Sequence, residues 1–456
     1  LSHHPDLGGF FFKLYEITSF LIMLDFFFIL FHMPLSDYKF NISRFIFPVV
    51  CLFSFIQNLE AQTQDRKMDI EFTGMFWLTT TYNFQSSDPN WPEMLRPSKI
   101  LNSQGQPYTE NGEFSIGIRP SRFGFNTKHR TEKGDLITRM EVDLVGGGNN
   151  VGQTFFRVFN AYVEWNRWTL GQRNSVFMDG SVGPSTIDFF GPNGMVLLRN
   201  IQISYKAIAT ESTELTVGLE NPSATSDLGP YGEDFDYAAK LENIDFTSKL
   251  PAFTAHYRRM FSKGHLQIGA VAKYVSWYDR AQTPQENYSG DTWGYGVNLT
   301  GSIMPTDRIR LMGAYVTGKG IQNFLNDGTA DIGVRSDPGN SVTSLFGDAI
   351  PFYSFMAASE LKLAESLSST VAFSRIVNQT FDSQLNTAFE SGNYFTLGFI
   401  QKPISNVSLG IEYQYASRQN TDFIGAPELG LGPALGNSFA VHKLQAMFVY
   451  RFSSKL

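Results

Sequence analysis

The sequence predicts an all-β fold, a sixteen-stranded antiparallel transmembrane β-barrel, and three observations point to it. A stretch laid out like a secretion signal precedes the main body of the chain. That body alternates apolar and polar residues with period two in segment after segment. The connections between those segments fall into very short and very long ones. Composition agrees: among 456 residues there are 42 Phe, 19 Tyr and 6 Trp but a single Cys, and only 17% are charged. An aromatic-rich chain with few long apolar runs favours strands over helices. The formal net charge of -7, with no block of Lys or Arg, argues against a nucleic-acid partner.

The long apolar runs all precede residue 61: TSFLIMLDFFFILF, interrupted by Asp25, and RFIFPVVCLFSFI. The second follows Lys39 and Arg44 and runs into QNLEA, the layout of a secretory signal cleaved after Ala61, with Met33 as a natural start. Residues 1–61 are therefore expected to be an upstream segment (1–32) plus a signal peptide (about 33–61), and 62–456 the barrel. A pair of anchoring helices is the competing reading, but both runs are shorter than the roughly 20 residues a bilayer needs. The only cysteine, Cys51, lies in the signal, so disulfides, thiolate metal sites and heme attachment are excluded from the mature part.

Taken in order, strands are expected near 68–82, 112–126, 134–144, 152–164, 167–175, 197–207, 212–220, 250–260, 263–276, 293–303, 307–318, 352–362, 366–376, 391–401, 406–416 and 439–452. Segment 407–415 alternates most cleanly, with Val407, Leu409, Ile411, Tyr413 and Tyr415 on one face and Ser408, Gly410, Glu412 and Gln414 on the other. In 135–144, Leu136, Met140, Val142 and Leu144 oppose Asp135, Arg139, Glu141 and Asp143; in 265–274, Leu266, Ile268 and Tyr274 oppose His265, Gln267 and Lys273. Alternation alone suits a soluble sandwich too. Segments of about 9 to 11 residues or more, where soluble strands average 5 to 6, and aromatics near their ends shift the reading to a barrel with lipid outside and water inside. Segment 233–247 alternates poorly, and an even strand number is needed, so it is expected to be loop. Lys263-Gly264 and Pro305-Thr306 read as tight turns, whereas 83–111, 176–196, 221–249, 277–292, 319–351, 377–390 and 417–438 are long connections, the asymmetry of periplasmic and extracellular ends.

A barrel of sixteen strands encloses an aqueous channel, so a diffusion channel is the expected role, in contact with outer-membrane lipid and lipopolysaccharide. The polar faces carry Arg119, Arg122, Arg139, Arg157, Arg173 and Arg199, and later Lys273, Arg308, Arg310, Lys443 and Arg451. Guanidinium groups stay charged and grip carboxylates bidentately, so these positions favour small anionic solutes. The alternative is that each pairs with an inward acid such as Glu141 or Asp143 and only balances charge. Pro120 breaks the alternation between Arg119 and Arg122, which a bulge would accommodate with both pointing inward. The stretch 175–194, SVFMDGSVGPSTIDFFGPNG, is too polar and Gly/Pro-broken for a strand; folded into the lumen as a constriction loop, it would set Asp179 and Asp188 opposite the arginines, although Asp-Gly turn capping serves equally for Asp179.

Nothing points to catalysis, a cofactor or a metal. His256, His265 and His442 lie on separate strands without ligand spacing, and no Gly-x-Ser-x-Gly or His-Glu-x-x-His motif occurs. A siderophore transporter would need twenty-two strands and an N-terminal plug. A barrel that binds one solute specifically and passes it slowly remains the alternative to a general porin.

SRFGFNTKHRTEKGDLITRMEVDL, RVFNAYVEWNRWTLGQRNSVFMD, TIDFFGPNG and RNIQISYKA, within 119–207, together with GHLQIG at 264–269, resemble the DcaP-like family of outer-membrane porins. The resemblance implies a homotrimer of sixteen-stranded barrels in the outer membrane of a Gram-negative bacterium, passing small organic anions such as dicarboxylates. The family's basic constriction carries over to Arg119, Arg122, Arg139, Arg157 and Arg199. Where the family often has a second Arg in the strand containing Arg157, this chain has Phe159, and the usual Gly-Gln-Thr-Trp becomes Gly171, Gln172, Arg173 and Asn174. Some members carry an N-terminal coiled coil; QTQDRKMDIEF has no heptads, so none is expected here. The aromatic that tends to end such barrels is Phe452, followed here by SSKL.

Overall fold

The computed structural model describes residues 68–456, apart from 87, 101–111, 338 and 382. The expected upstream segment and signal peptide, and the mature start at Gln62, lie outside the described residues. Eighteen hydrogen-bonded segments make one closed sheet of sixteen staves, because two staves are each broken into two segments. β1 is Met68–Asn83, and β2 runs in two pieces, Glu113–Gly117 and Arg122–Thr131, both paired with β1. Then come β3 Gly134–Asp143, β4 Arg157–Trp165, β5 Trp168–Asn174, β6 Arg199–Ala209 and β7 Thr213–Glu220. β8 is again split, Ile244–Thr247 and Ala252–Phe261, and both pieces pair with β9, Gly264–Asp279. The rest are β10 Gly290–Thr306, β11 Ile309–Lys319, β12 Pro351–Ala364, β13 Leu367–Asn378, β14 Phe389–Ile404, β15 Val407–Asn420 and β16 Ser438–Lys455. Every neighbouring pair is antiparallel, and β16 meets β1 from Glu71↔Lys455 to Asn83↔Lys443, which closes the barrel. No edge is left to be satisfied in hydrocarbon.

Each expected strand is present, and the faces sort as their alternation implies. On β15, Leu409, Ile411 and Tyr413 are exposed to the outside while Ser408, Glu412 and Gln414 are buried within. On β9, Leu266 and Ile268 face out and His265, Gln267 and Lys273 face in. Exposed aromatics mark both rims, with Trp165, Trp168 and Phe261 at the turn end and Tyr278, Trp293 and Tyr295 at the loop end.

Three details differ from the sequence reading. The strands pair as far as Phe261↔Gly264 and Thr306↔Ile309, so the chain turns at Ser262-Lys263 and Asp307-Arg308. Pro305 stays in β10 at the irregularity between Ile303 and Thr306, where a missing N–H disturbs no ladder bond. Segment 233–247 is not featureless loop: Asp234 caps a short helix, Phe235–Leu241, and Ile244–Thr247 is the upper piece of β8. Its poor alternation reflects the change from helix to strand. At Pro120 the chain makes an interruption, not a one-residue bulge: Ser121 N–H donates to Ile118 (2.9 Å), and β2 resumes at Arg122.

The main apolar packing sits inside the barrel, where loops fold inward against the wall. Phe177, Met178 and Val196 from the 175–198 connection and Ile321, Phe324 and Leu325 from the β11–β12 connection pack on Val271, Val316, Phe352, Ile376 and Phe389. Val182 and Met195 pack on Met312, Met356 and Ala372. One arc of the lumen, from β9 to β14, is thus filled.

Candidate functional site

The inward connection 175–198 is fastened along its length. Glu220 accepts from Ser175 Oγ (2.9 Å) and Val176 N–H (2.7 Å), and Asn298 Nδ2 donates to the Phe177 carbonyl (3.0 Å). Farther on, Glu360 accepts from Ser185 N–H (2.7 Å), and Glu412 accepts from the N–H groups of Ile187 and Asp188 at 2.8 and 3.1 Å. Gly194 passes so close to β12 that an added Cβ would lie 2.5 Å from the Phe355 carbonyl oxygen, so no other residue fits there.

Asp179, 2% exposed, is the strongest of these anchors. Its carboxylate accepts from Arg258 (2.7 Å), Thr300 (2.7 Å), His265 (2.8 Å) and the Ser181 N–H (3.0 Å). Burial by itself would raise its pKa, yet the Ser181 hydrogen bond, the Arg258 charge and the bonds from Thr300 and His265 hold the carboxyl below its usual range. Asp188 borders the open lumen, with its oxygens occupied by the Leu95 (3.0 Å) and Phe190 (3.1 Å) N–H groups; burial raises its pKa. The first acid is thus turned into the protein, and the second joins two loops.

The second inward loop, 84–100, was legible only as a long connection. Lys443 donates to the Pro92 (3.0 Å) and Met94 (2.6 Å) carbonyls, and Arg418 to those of Ser98 (2.7 Å) and Ile100 (3.0 Å). Arg119 pairs with Glu93 of the same loop and is itself buried, so it fixes the loop and does not line the passage.

What remains open is a cavity of about 1060 Å³ between the β1–β6 wall, the strands β13–β16 and residues 184–190. It is bordered by five cationic side chains, Arg122, Arg157, Arg199, Lys402 and Arg451, against two carboxylates, Asp143 and Asp188. Arg157 grips Asp143 through Nε (3.0 Å) and Nη2 (2.6 Å). Arg122 and Arg199 make no ion pair with any described residue; instead their guanidinium carbons lie 3.1 and 3.4 Å from the Phe159 ring centroid. A smaller adjoining cavity of about 380 Å³ contains Arg122, Arg139 and Arg451, with Arg139 held to Glu141 by two bonds of 2.9 Å. Arg173 pairs with Glu164 and lies outside both cavities.

The six arginines therefore divide. Arg122, Arg157 and Arg199 converge on the main cavity, Arg139 on its neighbour, and Arg119 and Arg173 are structural pairs. Among the later basic residues, Lys273 is buried against Asp331 (3.4 Å) and Asn323, and Lys443 holds the first loop, so only Arg451 reaches the lumen of that group's strand positions near the cavity. Sequence reasoning missed Lys402, in the less regular end of β14, and Arg96. The latter stacks between Trp91 (4.8 Å) and Phe190 (4.4 Å), on a loop that gives no periodic signal. Among the described residues no group of three His, Cys, Asp or Glu is arranged to hold a metal ion.

A family model described as DcaP outer membrane protein matches residues 57–334. The crystal structure of the outer membrane channel DcaP of Acinetobacter baumannii shares the fold, with a TM-score of 0.68 at 18% identity over 86% of this chain and 99% of that one. The outer-membrane OmpT of Vibrio cholerae superposes with a TM-score of 0.52, at 12% identity over 85% and 99% of the two chains. An anion-selective porin from Comamonas acidovorans gives 0.50 at 11% identity over 84% and 100%. A search of curated proteins by sequence finds no match.

Proposed function

The chain belongs to the DcaP family of outer membrane proteins and is an outer-membrane porin, and from that premise we propose that it conducts small anionic organic solutes such as dicarboxylates. One observation carries this reading: Arg122 and Arg199 border the open cavity with no carboxylate taking up their charge. Guanidinium groups cannot lose their proton at any relevant pH, and their planar forks match carboxylates bidentately. A restricted space walled by protein keeps their field from being fully screened. The net acidity of the whole chain does not oppose this, because many acids are spent in pairs or lie on the loops. Homotrimeric assembly is part of the proposal and is motivated by the family alone.

The reading is tested in planar bilayers under a salt gradient. The reversal potential should mark anions as preferred carriers, and a cation-selective native channel would overturn the assignment. Single-channel current that saturates at low concentrations of one dicarboxylate would mark a solute-binding uptake channel instead of a general porin.

A further inference from the structure

We propose that Phe159 is the positioning residue of this passage, holding Arg122 and Arg199 apart and uncommitted so that a small dianion can engage both. The proposal rests on the anion reading above and goes further by assigning the arrangement to one uncharged side chain.

Register places Phe159 there. Across β3 and β4, Glu141 pairs with Asn160 and Val142 with Val158, so Phe159 is the extra residue of a bulge. A bulge re-aims the residue it leaves out of the ladder. Here it puts Arg157, Phe159 and Asn160 all on the lumenal side, while Val158 faces out. Phe159 is 7% exposed, with one guanidinium on the ring at 3.1 Å and the other at 3.4 Å.

The carboxylates that would otherwise capture these arginines are already engaged. Asp143 is held by Nε and Nη2 of Arg157, and Glu141 by Nε and Nη2 of Arg139 and by Asn160. The aromatic ring attracts each guanidinium through its negative faces but carries no formal charge to cancel. A carboxylate at position 159 would neutralise the pair, and a flexible aliphatic chain would leave two like charges free to move away from each other. The ring does neither, so two positive centres remain apart, one against each face of the ring, with their terminal N–H groups available to a solute. A dianion such as succinate can satisfy both, whereas acetate leaves one unanswered.

The test compares Phe159→Leu with the native protein, since the substitution changes no charge. Anion-over-cation permeability from the reversal potential, and the ratio of succinate to acetate permeability, are measured for each, with heat-modifiable migration as the check of assembly. Phe159→Met, close in volume and without a ring, replaces Leu if the latter does not assemble. The expected result is a severalfold loss of succinate preference in the ringless variant and its recovery in Phe159→Tyr. Equal ratios in native and ringless proteins would overturn the proposal, as would a loss that Phe159→Tyr shares. A native channel without anion preference would instead defeat the functional reading on which the proposal stands.

Discussion

Replacing Arg122 and Arg199 together by Gln removes two cavity charges that no carboxylate pairs, while leaving a shorter, neutral hydrogen-bonding side chain at each position. An anion passing at about 5 Å from a guanidinium gains roughly 0.8 kcal/mol from it in water's dielectric, and more beside a low-dielectric wall. Loss of both should lower anion partition by roughly 1.7 kcal/mol, a factor of about 10 to 20. The native cavity has five cations against two carboxylates, and the variant keeps Arg157, Lys402 and Arg451. Its selectivity should therefore approach neutrality without becoming strongly cationic. Reversal potentials under a salt gradient at low ionic strength read the change directly. Raising the salt from 0.1 to 1 M shortens the screening length from about 10 to about 3 Å, so native and variant should converge. An assembled double variant with an unaltered reversal potential at low salt would refute the reasoning, because the two groups would then not face the permeating ions.

Three further outcomes are expected. Arg157→Ala leaves Asp143, 1% exposed, without its charge partner; the Arg157 side chain is 34% exposed, so the cost should fall below the about 3–5 kcal/mol of a fully buried pair, but unfolding in detergent should still shift to lower denaturant, unlike in Arg122→Gln. Asp179→Ala should free one end of the inward 175–198 connection and raise single-channel conductance and its noise. Because the Asp179 pKa is depressed on folding, its stabilisation is fully present above the ordinary Asp value and is lost as pH falls through the folded one; conductance should hold from neutral pH down to about 4 and rise only below it. Protease applied to intact cells should cut within 319–351 or 417–438 and spare Ser262-Lys263 and Asp307-Arg308, whereas cleavage confined to those turns would invert the orientation.

The staves were legible because each must show lipid one face and water the other, and that requirement writes itself locally with period two, as at Leu409, Ile411 and Tyr413. One turn was placed two residues early, since Pro305 looked like a breaker and is tolerated at an irregular pairing, and the other one residue late. The six arginines were legible as a set, but not which were spent: Arg119 meets Glu93 across a loop, and Arg157 meets Asp143 across a strand pair, contacts that no spacing announces. The inward 84–100 loop and Arg96 escaped for the same reason. Phe159 stood out as a departure from a resemblance, and only the bulge between Glu141 and Val142 explains where its ring goes.

The packing of loop residues against β9–β14, with the arginines on the opposite arc, divides tolerance to substitution around the circumference. Changes at Arg122, Gln172 or Arg199 border the open cavity and should alter what is carried while leaving yield intact. Changes at Val271, Val316 or Ile376 strike side chains wedged between wall and loop, where each lost methylene opens a void costing about 1 kcal/mol. A lineage or a mutant library can therefore explore new solutes on one arc without drawing on the stability stored in the other.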